Sequence, residues 1–436
     1  MQSLAREETT TARDLLGVPQ DIQREYALSR PVSVEVFNRA QQFLPGGQTR
    51  SVTHYAPFPT VIDSAAGSRL VDVDGNEYLD VLNNYTSLVH GNSFSPITER
   101  VRPLLSAGVA FASIHREQIG LAERICARLG SAELVRFTNS GSEASALAAR
   151  MARHITGRRQ IVVAEGGYHG SVPPFVHGEP DVIRVPYNDV QALKSAVTDE
   201  TAAVFLEPFL GAGGVIPGSG EFLNAAQETA RDKDAIFVLD EVQSLRNALG
   251  GVQGELGLSP DLTILGKVIG GGFPIGAVCG RAAVMETTSP FTPGRLEHAG
   301  TFNGHLAAVA AGSVSLDHLD VTAIERLNTH GTYLAESIAA SAHESGVTVA
   351  VSRAGSILNV HPVMAPSHAA ESGHFLAFRK SLHLCLLLEG IYSAARGMIN
   401  LSTALTSEDI DEISGRYRKA FDRLAQHPSL LDPSQK

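Results

Sequence analysis

The chain has 436 residues, 43% of them hydrophobic and 19% charged, with a formal net charge of −11. That balance belongs to a folded globular protein and excludes a disordered or fibrous one. An acidic chain is a poor partner for nucleic acid, whose phosphates require a basic face, and no apolar run reaches the roughly 20 residues of a membrane span.

In chain order, residues 1–30 read as a polar leader followed by a helix. The opening MQSLAREETTTARDLL mixes acids and bases without an apolar core, so it does not form a secretory signal. Residues 68–82, SRLVDVDGNEYLDVL, predict a hairpin in which Asp74-Gly75 is a two-residue turn between alternating apolar positions. From about residue 115 the pattern changes. Helical stretches such as IGLAERICARLG alternate with unbroken apolar runs: IVVA at 161–164, AAVFLEP at 202–208, AIFVLDE at 235–241 and DLTILGK at 261–267. Unbroken runs between helices predict strands buried on both faces, in a largely parallel sheet covered by helices. Past about residue 313, helical segments alternate with weaker strand signals, SILNVHPV and GMINLS, which predict a smaller α+β domain. A chain of this length is better served by a large and a small domain than by one core. Cys126, Cys279 and Cys385 match no metal spacing, and three is odd for a disulfide framework, so they read as reduced thiols of a cytoplasmic protein.

In an α/β sheet, ligands gather at the carboxyl ends of the strands. Two ends stand out. AIFVL runs straight into Asp240-Glu241-Val242, and LTIL ends in Gly266-Lys267, followed by a glycine-rich turn at 270–272. Taken singly, such an Asp is often a cap or turn residue, and such a Lys a solvated loop residue. Together they suit one chemistry. Lys267 alone among the six lysines stands between a buried strand and a Gly-rich turn. A lysine that forms a Schiff base must be desolvated and close to other charged groups. A buried carboxylate keeps the pyridine nitrogen of pyridoxal 5′-phosphate (PLP) protonated. In FTNSGSEASA, Ser140, Gly141 and Ser142 lead into an Ala-rich helix, which suits either a phosphate site or an ordinary helix cap. Tyr168, after the run IVVA, is placed to stack on a ring or simply to pack.

Taken together, these segments resemble the class III aminotransferases, PLP enzymes of fold type I. The resemblance spans about residues 40–415 and rests on LPGG (44–47), FTNSGSEA (137–144), GGYHG (166–170), PYND (186–189), LEP (206–208), LDEV (239–242), LGKVIGGG (265–272) and GTFNGH (300–305). It implies an α/β fold: a large domain with a mainly parallel seven-stranded sheet between helices, and a smaller α+β domain drawn from both termini. The corresponding ranges are 1–82 and 313–436 for the small domain and 83–312 for the large, PLP-binding one. By the same resemblance, Lys267 carries the cofactor covalently and shuttles the proton. Asp240 pairs with the pyridine nitrogen, Val242 and Tyr168 cover the two ring faces, and Ser140, Gly141 and Ser142 bind the phosphate. Thr301 reaches the phosphate of a neighbouring subunit's cofactor, which implies a homodimer with shared active sites.

Within the class, PYND and the length look like the glutamate-1-semialdehyde aminomutase branch. The stretch after LPGG departs from the aminomutases, with Arg50 early and Thr53 where they carry an Arg. RSVTHYAPFP and the later ARG segment look instead like the β-amino-acid, β-phenylalanine-type, aminotransferases. Arg50 then holds the carboxylate of a β-amino donor, and Arg396 that of a 2-oxo acid such as 2-oxoglutarate or pyruvate, each by the paired hydrogen bonds a guanidinium makes. Tyr55, Phe58 and Tyr85 are candidates to line the substrate pocket. The aminomutase-type isomerase and an amine transaminase with no need of a carboxylate are the alternatives.

Overall fold

In the computed structural model, which describes residues 17–431 except His177 and 363–372, the chain divides into two compact units. One comprises residues up to Tyr85, Gly91–Ser93 and the chain from Thr329 onward; the other comprises Thr86–His90 and Phe94–Asn328. Residues 1–16 of the expected leader lie outside the described residues.

The first unit opens with helices α1 (Gln20–Leu28) and α2 (Pro31–Ala40). Pro31 starts α2 where its missing N–H is not needed. The Asp74 carboxylate accepts the next two N–H groups, from Val32 at 2.6 Å and Ser33 at 3.0 Å. Strands β1 (Ile62–Ala66), β2 (Arg69–Asp72) and β3 (Glu77–Asp80) follow. β2 and β3 form the expected antiparallel hairpin, with Leu70 opposite Tyr78. Its turn is longer than the two residues expected, since the last β2–β3 pair is Val71 with Glu77. The cause is the Asp72 carboxylate, which accepts the N–H groups of Asp74 (3.0 Å) and Asn76 (2.8 Å) while Asp74 itself is committed to α2. Gly75, at φ 84°, supplies the left-handed residue that closes this loop.

The second unit contains α3 (Ser95–Ala107), α4 (Arg116–Arg128), β4 (Leu134–Thr138), α5 (Gly141–Thr156), β5 (Gln160–Ala164), β6 (Val182–Val185), α6 (Val190–Ala196), β7 (Thr201–Leu206), α7 (Gly220–Asp232), β8 (Ile236–Asp240), β9 (Leu262–Gly266), β10 (Gly276–Gly280) and α8 (Leu306–His318), with α9 (Val321–Glu344) beginning after it. The seven strands of its main sheet lie in the order β4-β10-β9-β8-β7-β5-β6. β8 is parallel to β7 and β9, and β5 to β6 and β7, whereas β10 runs antiparallel to β9 and β4. The four unbroken apolar runs are β5, β7, β8 and β9, and their alternate residues are buried on opposite faces. Val163, Phe205, Val238 and Ile264 pack with Leu147, Ala148 and Met151 of α5. Val162, Leu206, Phe237 and Leu239 pack with Phe222, Leu223 and Ala226 of α7. Each such aliphatic or aromatic burial contributes about 1.5–3 kcal/mol, and the polar Thr263 inside β9 is buried with its Oγ1 accepting from Gln253 Nε2 at 3.2 Å.

The first unit is completed by β11 (Ala350–Ala354), β12 (Ile357–His361), α10 (Gly373–Leu388), β13 (Ile391–Tyr392), β14 (Met398–Asn400) and α11 (Ser407–Ala425). Its sheets are β1-β2-β3-β13 and β11-β12-β14. SILNVHPV and GMINLS supply β12 and β14, which pair antiparallel with Ile357 opposite Asn400. Its core holds Arg30, only 1% exposed. The Arg30 guanidinium lies 4.2 Å from the Tyr26 ring centre and donates to Tyr78 Oη (2.8 Å) and the Leu387 carbonyl (3.0 Å). The three cysteines are free thiols. Among the described residues no helix is long and apolar enough to cross a membrane.

Candidate active site

In the second unit the strand ends converge. Asp240, the last residue of β8, is 5% exposed. Its Oδ1 accepts from the Val242 N–H at 3.1 Å, and its Oδ2 lies 2.9 Å from His169 Nδ1. An Asp ends this strand because the chain turns there and its carboxylate can collect the N–H that no strand neighbour takes. The Val242 side chain then separates two other strand ends. A Cβ built on Gly141 would lie 3.2 Å from Val242 Cγ2, and one on Gly266 would lie 3.4 Å from Val242 Cγ1 and 3.6 Å from Gly141 Cα. Asp240, Gly141 and the residue preceding Lys267 therefore stand around one valine.

The start of α5 has the form of an anion cradle. Ser140 caps it, its hydroxyl accepting from the Glu143 N–H at 3.2 Å. Gly276 faces Ser140 so closely that any Cβ there would collide with the Ser140 carbonyl. The Gly170 backbone comes against Ser142 in the same way, and the Ser171 N–H reaches Ser142 Oγ at 3.4 Å. Small residues thus bring three backbone segments together at a helix N-terminus, where N–H groups and the helix dipole favour a phosphate. Lys267 begins the tight turn Lys267–Gly270 directly after β9, with φ 48°. That turn is backed by α8 at Gly312, where a Cβ would strike the Ile269 carbonyl. A buried carboxylate, a cradle that added side-chain atoms would fill, and a lysine held in a rare backbone conformation are the donor set that PLP requires, so the residues fit it.

Two residues that sequence reasoning left without a role complete this centre. The buried His169 ring donates or accepts at Asp240 through Nδ1, and among the described residues its Nε2 meets no hydrogen-bond partner. Burial works against a charged imidazole here, but the Asp240 hydrogen bond and charge, with Glu207 behind them, hold its pKa above the ordinary value. Glu207, just past β7, accepts from the N–H groups of Tyr168 (2.9 Å) and Gly211 (3.1 Å). Burial raises its carboxyl pKa, His169 opposes the rise, and Asp240 adds to it; the balance is upward, to about 7. The available signal was positional: Glu207 follows directly on β7, and His169 lies five residues past the end of β5.

That balance has a consequence for stability. A carboxyl whose folded pKa lies above its unfolded one contributes fully below the unfolded value, and the contribution is lost as pH rises through the folded value. Between about pH 5 and 7.5 the melting temperature of the wild type is expected to fall relative to that of a Glu207→Gln variant, measured by calorimetry. Parallel curves would contradict the upward shift.

Tyr168 is 49% exposed and is attached to this centre through its N–H, so its ring is available to a ligand. Thr301 is exposed and lines a shallow recess with Phe111, Gln118 and Phe302. Its loop is anchored by Asn303, whose Oδ1 accepts from Asn139 Nδ2 at 3.1 Å, one residue ahead of the cradle. The remaining candidates belong to the first unit. Arg50 Nη1 donates to Asn84 Oδ1 at 3.0 Å, and the Arg396 guanidinium carbon lies 5.3 Å from the Tyr85 ring centre. Arg50 and Arg396 are therefore tied to consecutive residues. Phe58, by contrast, is buried against Tyr26, with ring centres 5.2 Å apart, and Tyr55 packs edge-on to His383.

With this geometry in hand, the chain matches the family described as Aminotransferase class-III over residues 51–177 and 172–420. A β-phenylalanine transaminase of Variovorax paradoxus is 39% identical over 424 residues, covering 94% of this chain and 96% of its own. The solved structure of a β-phenylalanine aminotransferase from the same organism agrees with a TM-score of 0.88 at 37% identity, over 97% of this chain and 99% of that one. A transaminase solved with PLP bound agrees with a TM-score of 0.86 at 31% identity, over 91% and 98%. A glutamate-1-semialdehyde 2,1-aminomutase of Sorangium cellulosum is 35% identical over 426 residues, covering 90% and 96%.

Proposed function

The chain belongs to the class III aminotransferases, PLP-dependent transaminases of fold type I, and from that premise we propose that it moves the amino group of a β-amino acid resembling β-phenylalanine to a 2-oxo acid, by a ping-pong mechanism. The observation that carries the choice of substrate is the pair of arginines, Arg50 and Arg396, tied to the adjacent residues Asn84 and Tyr85. A transaminase must accept two acids in turn, and two guanidinium groups held by adjacent residues suit that requirement. The 39% identity to a β-phenylalanine transaminase points the same way.

When bound, PLP supplies an electron sink for the charge released at the amine-bearing carbon. Lys267 Nζ would hold the cofactor between turnovers, then take the proton from that carbon and return it. The Asp240 carboxylate, oriented by the Val242 N–H and His169, would hold a proton on the pyridine nitrogen. Ser140, Gly141 and Ser142 would bind the phosphate, with Val242 and Tyr168 against the ring. Arg50 and Arg396 would hold the donor and acceptor carboxylates, each through paired hydrogen bonds. For the protein as a whole we read a cytoplasmic homodimer. The free thiols support the first part. The second is supported by exposed apolar side chains in the second unit, Phe291 at 92%, Ile114 at 85%, Phe302 at 58% and Phe111 at 52%, the last two beside Thr301.

The test is a half-reaction. PLP-loaded enzyme mixed with β-phenylalanine, without acceptor, should lose its visible cofactor absorbance and recover it on addition of 2-oxoglutarate or pyruvate. If the spectrum does not change while glutamate-1-semialdehyde turns over without an acceptor, the protein is an aminomutase instead.

A further inference from the structure

Four successive residues without a glycine, Asn83, Asn84, Tyr85 and Thr86, adopt left-handed backbone angles, with φ of 48°, 45°, 55° and 75°. An L-residue in that region costs roughly 1–2 kcal/mol and is normally found singly. The start of the turn is held by a buried polar frame. Asp80 Oδ1 accepts from the N–H groups of Leu82 (2.9 Å) and Asn83 (2.8 Å). Asn83 Nδ2 donates to the Asn400 carbonyl at 2.6 Å, and Asn400 Nδ2 returns a bond to the Leu82 carbonyl at 3.0 Å. Asp80, Asn83 and Asn400 are all buried.

The frame presents Asn84 and Tyr85, and each meets a different arginine. Asn84 Oδ1 accepts one N–H of Arg50 at 3.0 Å, and the Tyr85 ring faces Arg396 at 5.3 Å. Tyr85 Oη also donates to the Val52 carbonyl at 2.8 Å, which fixes the ring to the segment that carries Arg50. The chemistry of these neighbours is selective. A neutral amide oxygen orients a guanidinium while occupying one of its five N–H groups, so a carboxylate can still bind in bidentate fashion. A carboxylate in its place would pair with the arginine and compete with the ligand. An aromatic face likewise orients a guanidinium from the side rather than along its N–H edge; at Arg396 one Nη2 N–H also meets Met398 Sδ at 3.1 Å.

We propose that the Asn83–Thr86 turn sets carboxylate specificity: Asn84 positions Arg50 for the amino donor's carboxylate, and Tyr85 positions Arg396 for the carboxylate of the 2-oxo acid. The inference rests on the reading of the two arginines given above, and it makes Asn84 and Tyr85 separate controls on the two substrates.

The experiment uses two ligands. The dissociation constant of 3-phenylpropanoate, which has the donor's carboxylate and no amine, is measured on PLP-loaded enzyme by calorimetry. The KM for pyruvate is measured in the acceptor half-reaction. Asp and Gly both tolerate the backbone angle of Asn84, so Asn84→Asp and Asn84→Gly keep the turn. Asn84→Asp is expected to weaken 3-phenylpropanoate about tenfold or more, and Asn84→Gly about two- to fivefold, with KM for pyruvate held within about twofold. Tyr85→Leu is expected to do the reverse, raising KM for pyruvate about fivefold, while Tyr85→Phe, which keeps the ring, restores it. If Asn84→Asp leaves 3-phenylpropanoate affinity unchanged, or if the substitutions weaken both ligands equally, the proposal is overturned. Arg50→Ala separates the two layers. Full affinity in that variant defeats the reading of Arg50 and this inference with it; lost affinity there with an indifferent Asn84→Asp defeats the inference alone.

Discussion

A Lys267→Ala enzyme is expected to lose about 10⁴-fold in kcat, the upper end of what a positioned proton-transfer group contributes, because Lys267 is assigned both attachment of the cofactor and the proton transfer. The geometry makes the lysine hard to replace. It begins its turn at φ 48°, and the backbone around it is confined by Gly271 at φ 55° and by the close approach of Gly312. Backbone of that kind persists where surrounding structure over-determines it, and it is characteristic of functional sites. Lys267→Arg keeps a positive charge but no nucleophilic amine, and should be equally inactive. An independent readout is covalent attachment. After borohydride reduction, the wild type should retain cofactor on the peptide bearing Lys267, and the variant should retain none. The other lysines, at 194, 233, 380, 419 and 436, make the peptide map unambiguous. Label on any of those in the wild type would refute the assignment.

Asp240→Asn is expected to fold normally and to lose about 10²–10³-fold in kcat, the scale of removing one buried, preorganised electrostatic partner. An asparagine retains the shape and can keep an oxygen toward the Val242 N–H or His169, so the loss reports charge rather than collapse. The same substitution should register at His169. Asp240 is what outweighs burial at that imidazole, so without the carboxylate the His169 pKa should fall below its ordinary value, followed by NMR of the ring protons. An unmoved His169 titration with full activity would show that Asp240 is only a strand terminus.

Both groups could be read from the chain because each follows an apolar run whose length and composition already announce a buried strand. An apolar run has to be buried, and the first polar residue after it must stand at the sheet edge. Glu207 obeys the same rule in LEP, and His169 comes five residues after β5 in GGYHG, yet nothing local says that they meet Asp240. His169 reaches it across 71 residues of chain, and only the parallel order β8-β7-β5 brings those strand ends side by side.

The turn chemistry divides in a similar way. Asp74-Gly75 was legible as a turn, but its length depends on two carboxylates, one of them committed to α2, which no dipeptide rule includes. The left-handed run at Asn83–Thr86 was not legible at all. It contains no glycine, and its frame includes Asn400, 317 residues away. That is why Tyr85 was read only as a possible wall of the substrate pocket, and Asn84 was not singled out.

By itself, then, the amino-acid sequence determined the class of fold, the four buried strands at the centre of the sheet, and the residues at their ends that suit PLP, because burial is a local demand that each strand states in its own composition. The tertiary structure alone decided which of those ends touch, how His169 and Glu207 join Asp240, and that Arg50 and Arg396 are held by neighbouring residues of one strained turn. Those are pairings between distant segments, and their energies arise only once the backbone has closed around them.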